Sequence, residues 1–239
     1  MLTFRTFTLW LWLGYGTLLF LMVSIPAQLG TRTFARKITH WMAQWWGRGM
    51  LRAAGARARV EGLPKDLGQG PYVIMSNHRS HMDTPLLIAK LPLFFGFIVK
   101  AELDRIPLFR TGMKMIGCVP VKRARTKSDH AVLNGVAQTV AGGQNIVIFP
   151  EGTRAPSDEF LPFKKGGVVL AIKAGVPILP VAVCGTQRVL PPKTFRVTAG
   201  QLVLRVGSPI PTSNRGLDER DAILVEVKNA IKILYAKGI

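Results

Sequence analysis

A long uncharged stretch near the start of the chain constrains this sequence more than any other feature. No charged residue occurs from Thr6 to Thr31, and most residues from Leu9 to Leu29 are apolar. An apolar run of this length is sufficient to span a bilayer. The sequence is consistent with a spanning helix, and equally with a helix that enters the membrane, turns near Pro26 and returns. A cleaved signal peptide is the weaker alternative, because the flank is basic and no clear small-residue cleavage site follows.

The residues around this stretch carry positive charge and tryptophan but no acid. Residues 1–60 contain no Asp or Glu and hold all five tryptophans of the chain. Residues 33–53 have a helical pattern, with Phe34 and Trp41 on an apolar face and Gln44 on a polar one. Tryptophan beside arginine is typical of a membrane interface, so we expect an interfacial helix. The alternative is a helix packed on its own domain.

Basic residues are more frequent after the uncharged stretch than before it. Arg32, Arg36 and Lys37 follow it, whereas only Arg5 precedes it. Because short cytoplasmic segments carry an excess of Lys and Arg, this bias predicts that the bulk of the protein lies on the cytoplasmic face of a membrane. In a bacterium that would be the inner membrane.

The whole chain is strongly basic. Its 32 Lys and Arg against 13 Asp and Glu give a net charge of +19. This charge predicts a polyanionic partner: nucleic acid, an anionic membrane surface or a phosphorylated substrate. Nucleic acid is disfavoured, because the sequence has an uncharged membrane-length stretch and no helix-turn-helix or aromatic RNA-binding motif. Cys118 and Cys184 have no zinc-type spacing, so we expect no metal site.

From about residue 58 onward, strand-like and helix-like patterns alternate. The predicted strands are 58–63, 72–76, 95–100, 118–122, 145–149, 177–184 and 201–206. The predicted helices are 84–90, 108–116, 128–141, 165–174 and 218–236. Such interleaving predicts an α/β fold: a mixed, partly parallel β-sheet flanked by helices, preceded by an N-terminal membrane-associated helical segment. We place that segment at residues 1–57 and the α/β domain at residues 58–239.

The sequence NHRSHMD, residues 77–83, directly follows a predicted strand and precedes a predicted helix. Ligands of α/β sheets bind at the carboxyl ends of strands, where His78 is expected to lie. A turn between them allows the Asp83 carboxylate to reach His78 Nδ1, which leaves Nε2 as a base. The alternative is that Asp83 only caps the helix and His78 is an ordinary loop residue. His81 has no carboxylate at the same spacing and is expected to be exposed.

The sequence FPEGTR, residues 149–154, follows another predicted strand. Gly152 permits close approach of the backbone to a ligand, and the planar guanidinium of Arg154 suits a phosphate. Glu151 is expected to hold Arg154 or to bind a substrate hydroxyl. The alternative is a tight turn with a surface ion pair.

A third block, KAELDRIPLF at residues 100–109, also follows a predicted strand. Lys100 supplies positive charge suited to an oxyanion or a phosphate, although an ordinary solvated lysine is the alternative. Further basic residues follow it, and they would favour a phosphorylated substrate or an acidic protein partner, although a solvated basic face is the alternative. They are Arg105, Arg110, Lys114, Lys122, Arg123, Arg125 and Lys127.

The order of these blocks resembles that of the glycerolipid acyltransferases, and within them most closely the 1-acylglycerol-3-phosphate acyltransferases. That family has an H-x4-D box, a block with a basic residue, an E-G-T-R block and a late V-P-I-x-P block, and this chain has VPILPV at residues 176–181. The resemblance covers residues 77–181. One departure is Arg110, which stands after IPLF where the family commonly has glycine.

The resemblance implies roles for individual residues. His78 would be the general base with Asp83 as its partner, and Lys100 would help to stabilise the oxyanion. Glu151, Gly152, Thr153 and Arg154 would bind the acceptor, and VPILPV would be structural or line the acyl site.

The implied reaction moves a fatty acyl group from acyl-CoA or acyl-carrier protein to the sn-2 hydroxyl of lysophosphatidic acid, which gives phosphatidic acid. No cofactor is expected. Another lysophospholipid or a lyso-aminolipid remains an alternative acceptor. A non-catalytic membrane-binding protein would explain residues 1–60 but not the polar blocks at the strand ends.

Overall fold

The computed structural model describes residues 4–239 except residues 66, 69 and 122–126, and for residues 127–131 it describes the backbone alone. Lys122, Arg123 and Arg125 therefore lie outside the described residues, as does the side chain of Lys127.

The chain begins with two long helices, α1 (Phe4–Ala27) and α2 (Arg32–Ala53). Hydrogen bonds join the start of α1 to the end of α2 and the end of α1 to the start of α2, so the helices form an antiparallel hairpin. Thr8 Oγ1 donates to the Ala53 carbonyl (3.0 Å), and Gln28 Nε2 donates to Thr39 Oγ1 (3.4 Å). The N-cap of α2 is Thr31, which turns the chain between the helices.

By length and composition, α1 is the one helix among the described residues that is apolar enough to cross a membrane. An 18-residue apolar stretch of α1 has a mean hydropathy of 1.7, and only 28% of that stretch is buried inside the protein. Many large apolar side chains of α1 are exposed: Phe4, Phe7, Leu11, Tyr15, Leu18, Met22, Val23 and Ile25.

Helix α2 lies between α1 and the α/β part of the chain. Met42 and Met50 are buried, whereas Phe34 and Trp41 are exposed. A Cβ at Gly47 would lie 3.0 Å from the Pro85 carbonyl oxygen, so this glycine permits close packing of α2 on the next helix. The inner face of α2 thus packs on its own domain, as one of the two interpretations predicted, and aromatic side chains remain on its outer face.

The remaining elements build one seven-stranded sheet and its flanking helices. The strands are β1 (Ala56–Glu61), β2 (Val73–Ser76), β3 (Phe95–Lys100), β4 (Val119–Val121), β5 (Asn145–Ile148), β6 (Ile178–Cys184) and β7 (Gly200–Val206). The helices are α3 (Asp83–Lys90), α4 (Pro107–Met115), α5 (Lys127–Ala141), α6 (Gly166–Ala174), α7 (Thr186–Val189) and α8 (Arg220–Ala236). Short 3-10 turns occupy Ala101–Arg105 and Leu217–Glu219.

The strand order is β1-β7-β6-β2-β5-β3-β4, and every neighbouring pair is parallel except β6 and β7. The predicted mixed, partly parallel sheet flanked by helices is confirmed, and most of its neighbouring strands are parallel. Each predicted strand is present within two residues of its predicted ends. The largest shift is in β1, which ends at Glu61 because Gly62 has a φ of +71° and leaves the strand conformation.

The sheet separates two apolar cores, because side chains alternate between its faces. Along β2, Ile74 belongs to the core that includes residues of α1 to α4, whereas Val73 and Met75 belong to the core built with α5, α6 and α8. The helical hairpin therefore packs on one side of the sheet only. The carboxyl ends of β2, β5 and β3, which carry the three polar blocks, are neighbours at one edge.

Candidate active site

The loop that carries His78 is attached to the sheet at its first residue. Asn77 follows β2 and its side chain bonds to the backbone of Val183 on β6 in both directions. Asn77 Nδ2 donates to the Val183 carbonyl (2.9 Å), and Asn77 Oδ1 accepts from the Val183 N–H (2.8 Å). Asn77 is buried, so these bonds replace the ladder bonds that end with the strand.

The side chains of His78 and Asp83 meet within this loop. His78 Nδ1 lies 2.7 Å from Asp83 Oδ2, which also accepts the N–H groups of Arg79 (2.7 Å) and Ser80 (2.9 Å). The Asp83 side chain is completely buried, and 20% of the His78 side chain is exposed. A carboxylate at Nδ1 fixes the proton on that nitrogen, so Nε2 is left as the free base. The five-residue spacing predicted this contact.

Asp83 does not act as the helix cap that the alternative interpretation required. The N-cap of α3 is Met82, which makes no side-chain capping bond, and Asp83 is the first helical residue. Its carboxylate faces back to the N–H groups of the preceding loop. The geometry therefore matches that of a base and its orienting carboxylate.

An aromatic wall supports the imidazole. The Phe149 ring stacks on His78 with centroids 4.0 Å apart and 13° between the planes, and Phe97 of β3 lies 6.3 Å beyond Phe149. Since Phe149 follows β5, the ring is held by a strand neighbouring the one that carries His78. Stacking and the Asp83 contact together fix the direction of Nε2.

Glu151 joins the FPEGTR block to the His78 loop. Its Oε1 accepts the His78 N–H (2.8 Å), and its Oε2 accepts the Leu161 N–H (2.9 Å) and Arg79 Nη1 (3.2 Å). The Glu151 side chain is completely buried. Its ion pair is thus with Arg79 and not with Arg154, because Arg79 is enclosed beside it. Contact between Glu151 and an acceptor hydroxyl stays a prediction.

Arg79 is a residue of this site that the sequence analysis missed. Its side chain is completely buried, and Nη2 donates to the Asp158 carbonyl (3.2 Å). The guanidinium carbon lies 4.6 Å from the centre of the Phe160 ring and 5.2 Å from that of Tyr235 on α8. Such cation–π contacts stabilise a desolvated arginine. The sequence offered one hint of this role, because Arg79 lies inside the H-x4-D box. A loop arginine is ordinarily solvated, so nothing in the sequence indicated its burial.

The end of α8 is tied to this arginine through a second set of bonds. Tyr235 Oη donates to Asp158 Oδ1 (2.6 Å), which also accepts from Gln187 Nε2 (2.8 Å). Burial, and then the bond to Asp158, raise the pKa of the Tyr235 phenol. The Tyr235 hydroxyl therefore stays protonated at neutral pH and donates to the Asp158 carboxylate.

The remaining predicted residues lie in the loops and strand end at this same edge of the sheet. Gly152 has a φ of +70°, Thr153 is exposed and Arg154 is partly exposed. The next residue, Ala155, donates its N–H to the His78 carbonyl (2.9 Å), which keeps the Arg154 segment beside the histidine loop. Lys100 is exposed at the end of β3. The structure therefore brings all three polar blocks to one edge of the sheet.

His81 is exposed, as predicted. Partial desolvation of the His81 ring, followed by the electrostatic effect of the nearby Arg154 guanidinium, lowers its pKa.

The two cysteines are free and buried. Burial raises the pKa of the Cys118 thiol to about 12 and raises that of Cys184. Neither thiol is a competent nucleophile at neutral pH, because the thiolate is the reactive form.

Comparison with known proteins finds relatives of this chain. A family model described as "Acyltransferase" matches residues 57–184. The chain is 32% identical to 1-acyl-sn-glycerol-3-phosphate acyltransferase alpha of Homo sapiens over 76% of this chain and 64% of that protein. It is 33% identical to the chloroplastic 1-acyl-sn-glycerol-3-phosphate acyltransferase BAT2 of Brassica napus over 66% of this chain and 46% of that protein. The chain thus spans less than two thirds of these curated relatives.

The similarity extends to a solved structure. The crystal structure of the 1-acyl-sn-glycerophosphate (LPA) acyltransferase PlsC from Thermotoga maritima matches with a TM-score of 0.83 and 26% identity. The match covers 96% of this chain and 92% of that one, so it includes the helical hairpin as well as the sheet.

The buried ion pair generates a stability prediction. Arg79→Met leaves the Glu151 carboxylate buried without its cation, so we expect a loss of about 3–5 kcal/mol in the free energy of unfolding. Denaturant unfolding measures this loss. Arg188→Met, at an exposed arginine, is the control and is expected to change stability by less than about 0.5 kcal/mol.

A double variant separates the charge from the packing. Adding Glu151→Gln to Arg79→Met removes the unpaired charge, so part of the lost stability is expected to return. Parental stability in Arg79→Met alone would contradict the central place that we give to this pair.

Proposed function

This chain belongs to the acyltransferase family, and we propose that it transfers a fatty acyl group from an acyl thioester to the sn-2 hydroxyl of lysophosphatidic acid. The product would be phosphatidic acid. The observation that carries the proposal is the His78–Asp83 pair at the edge of the sheet, with Nε2 left as a free base. The names of the relatives in human, rape and Thermotoga maritima support lysophosphatidic acid as the acceptor.

In the proposed reaction, His78 Nε2 removes the proton of the acceptor hydroxyl while the hydroxyl oxygen attacks the thioester carbonyl carbon. Asp83 stabilises the imidazolium that forms. The tetrahedral oxyanion then collapses, the C–S bond breaks, and the leaving thiolate recovers the proton from His78. Because a thiolate leaves readily, this chemistry requires no metal, no cofactor and no covalent enzyme intermediate.

Charged residues near the histidine loop are assigned to the two substrates. We assign Lys100 to the developing oxyanion, since it ends β3, which lies beside β5, the strand that Phe149 follows. Arg154 suits the acceptor phosphate because its guanidinium can form two parallel hydrogen bonds. Gly152 and Thr153 would complete that subsite, and Glu151 would act by positioning the loop through His78 and Arg79.

The donor is proposed only as a thioester, either acyl-CoA or acyl-carrier protein. Both are negatively charged, and the basic residues that follow Lys100 favour both. A panel of labelled donors and lysolipid acceptors, with products identified by mass, tests the whole proposal. Products made only from a lyso-aminolipid or from another lysophospholipid would replace the acceptor that we propose.

The protein is proposed to act at the cytoplasmic face of a membrane. Support comes from the exposed apolar side chains of α1, and the bias of basic residues after the uncharged stretch favours the cytoplasmic side. Lysophosphatidic acid resides in membranes, so an anchored enzyme would meet its acceptor in the bilayer.

The first prediction here concerns the base. His78→Ala is expected to lower kcat by about 10²–10⁴-fold, because the acceptor hydroxyl loses its proton acceptor. Asp83→Asn is expected to be severely impaired too, since an amide can reverse the tautomer of His78. His81→Ala is the matched control and should retain near-parental turnover. Near-parental turnover in folded His78→Ala would exclude this base.

The second prediction concerns the acceptor. Arg154→Lys keeps the charge but loses the planar fork, so weaker binding of lysophosphatidic acid is expected. Steady-state kinetics should show a raised KM with a smaller change in kcat, if the contact is equally strong in ground and transition states. An unchanged KM for lysophosphatidic acid would remove Arg154 from the phosphate subsite.

The third prediction concerns attachment. Salt screens the attraction of basic residues to anionic lipid, worth about 1 kcal/mol per residue near the surface, but it does not weaken the burial of apolar α1 side chains. Membranes washed in high salt are therefore expected to retain the protein, and detergent to release it. Release by salt alone would mean that α1 is not inserted.

A further inference from the structure

The segment between β3 and β4 exposes apolar side chains that nothing in the proposed chemistry uses. This 101–115 segment comprises the 3-10 turn Ala101–Arg105 and helix α4. Three of four consecutive residues in it are large, apolar and exposed: Ile106 by 52%, Leu108 by 57% and Phe109 by 42%. Clustered exposed apolar side chains are a common mark of protein or membrane contact.

Positive charge lies directly beside this apolar cluster. A cavity of about 580 Å³ opens between the turn and α4, and its lining includes Arg105, Arg110 and Lys114. Arg110 is paired with Asp104 at 3.4 Å. Within the part of the chain that the structure describes, Arg105 and Lys114 make no such ion pair. Among the described residues, two of the three cations that line the cavity therefore have no acidic partner.

The 101–115 segment packs against the helical hairpin. Helix α4 packs against α1, where a Cβ at Gly112 would lie 3.5 Å from the Phe20 ring and 3.7 Å from Leu21. Met113 is buried in the same core as those two residues. The apolar cluster and the exposed side chains of α1 thus belong to the same side of the sheet, whereas α8 packs in the other core.

We propose that the 101–115 segment is a second membrane contact, which docks on the anionic surface of the bilayer beside α1. Ile106, Leu108 and Phe109 would enter the interface, and the cations of the cavity would bind lipid phosphates. Apolar side chains flanked by cations such as Arg105 and Lys114, which lack an acidic partner among the described residues, match such a surface better than they match a soluble protein partner. The proposal rests on the proposed membrane attachment of α1.

This contact would place the active site at the lipid surface. Lys100 immediately precedes the segment, and β3 also carries Phe97, which stacks with Phe149 and through it with His78. Two anchors, α1 and the 101–115 segment, would fix the tilt of the sheet edge. A single anchor would leave the edge free to rotate away from the bilayer.

The test is site-specific fluorophore labelling in the full chain. Phe109→Cys carries the probe at the proposed contact, and Met22→Cys carries it on α1. Val225→Cys carries it at an exposed position of α8 and serves as the control. Labelling is selective because Cys118 and Cys184 are buried and their thiol pKa values are raised. Each protein is reconstituted into vesicles of phosphatidylcholine with phosphatidylglycerol, and quenching by brominated lipid is measured.

We expect strong quenching at positions 109 and 22 and little at 225. Quenching at 22 without quenching at 109 would overturn the second contact while leaving the attachment of α1 intact. An absence of quenching at both positions would overturn the membrane attachment itself and the second contact with it.

Charge-removing variants test whether the proposed contact depends on anionic lipid. Arg105→Gln with Lys114→Gln is expected to lower the docked-to-undocked ratio at position 109 by about fivefold for each charge removed, in vesicles that contain phosphatidylglycerol. The control pair is Lys232→Gln with Lys237→Gln, at exposed residues at the end of α8. Equal quenching at position 109 in the charge variant and its parent would overturn the role of anionic head groups.

Discussion

The buried pair of Arg79 and Glu151 joins two loops that leave different strands of the sheet. Glu151 bonds to the backbone of His78 and to that of Leu161, and Arg79 reaches Asp158 and the aromatic rings at the end of α8. Burial makes each charge costly without the other, so neither loop can leave without exposing or stranding a charge. Loops are ordinarily mobile, and this pair gives the loop of His78, the proposed base, the rigidity of the strands beside it.

The fold was largely predictable from the sequence, because apolar periodicity and turn residues agree along the chain. The contact of His78 with Asp83 was predictable for a similar reason, since a five-residue spacing needs only a local turn. The contact of Arg79 with Glu151 was not, because 72 residues separate the two and only the packing of β2 beside β5 brings them together. The stacking of Phe149 on His78 has the same origin. Sequence patterns thus locate the His78–Asp83 pair, but not the long-range contacts that hold it in place.

The helical hairpin is joined mechanically to the site. Helix α2 packs closely on α3 at Gly47, and α3 begins with Asp83, which orients the imidazole. A membrane that fixes the hairpin therefore also fixes the element from which the orienting carboxylate projects. In the proposed membrane-bound state, the hairpin and α3 would thus link the position of the bilayer to the orientation of the His78 ring.

The bonds between Asn77 and Val183 have a consequence for which sequences this loop can tolerate. The Asn77 amide imitates a peptide group, with one donor and one acceptor facing the Val183 backbone. Asn77→Asp preserves volume but turns an oxygen toward the Val183 carbonyl oxygen, and glutamine carries the amide one methylene too far. Even a substitution of equal size at position 77 is therefore expected to be unfavourable, because it breaks the bonds to the backbone of β6. A saturation survey would score it as strictly as a residue that touches substrate.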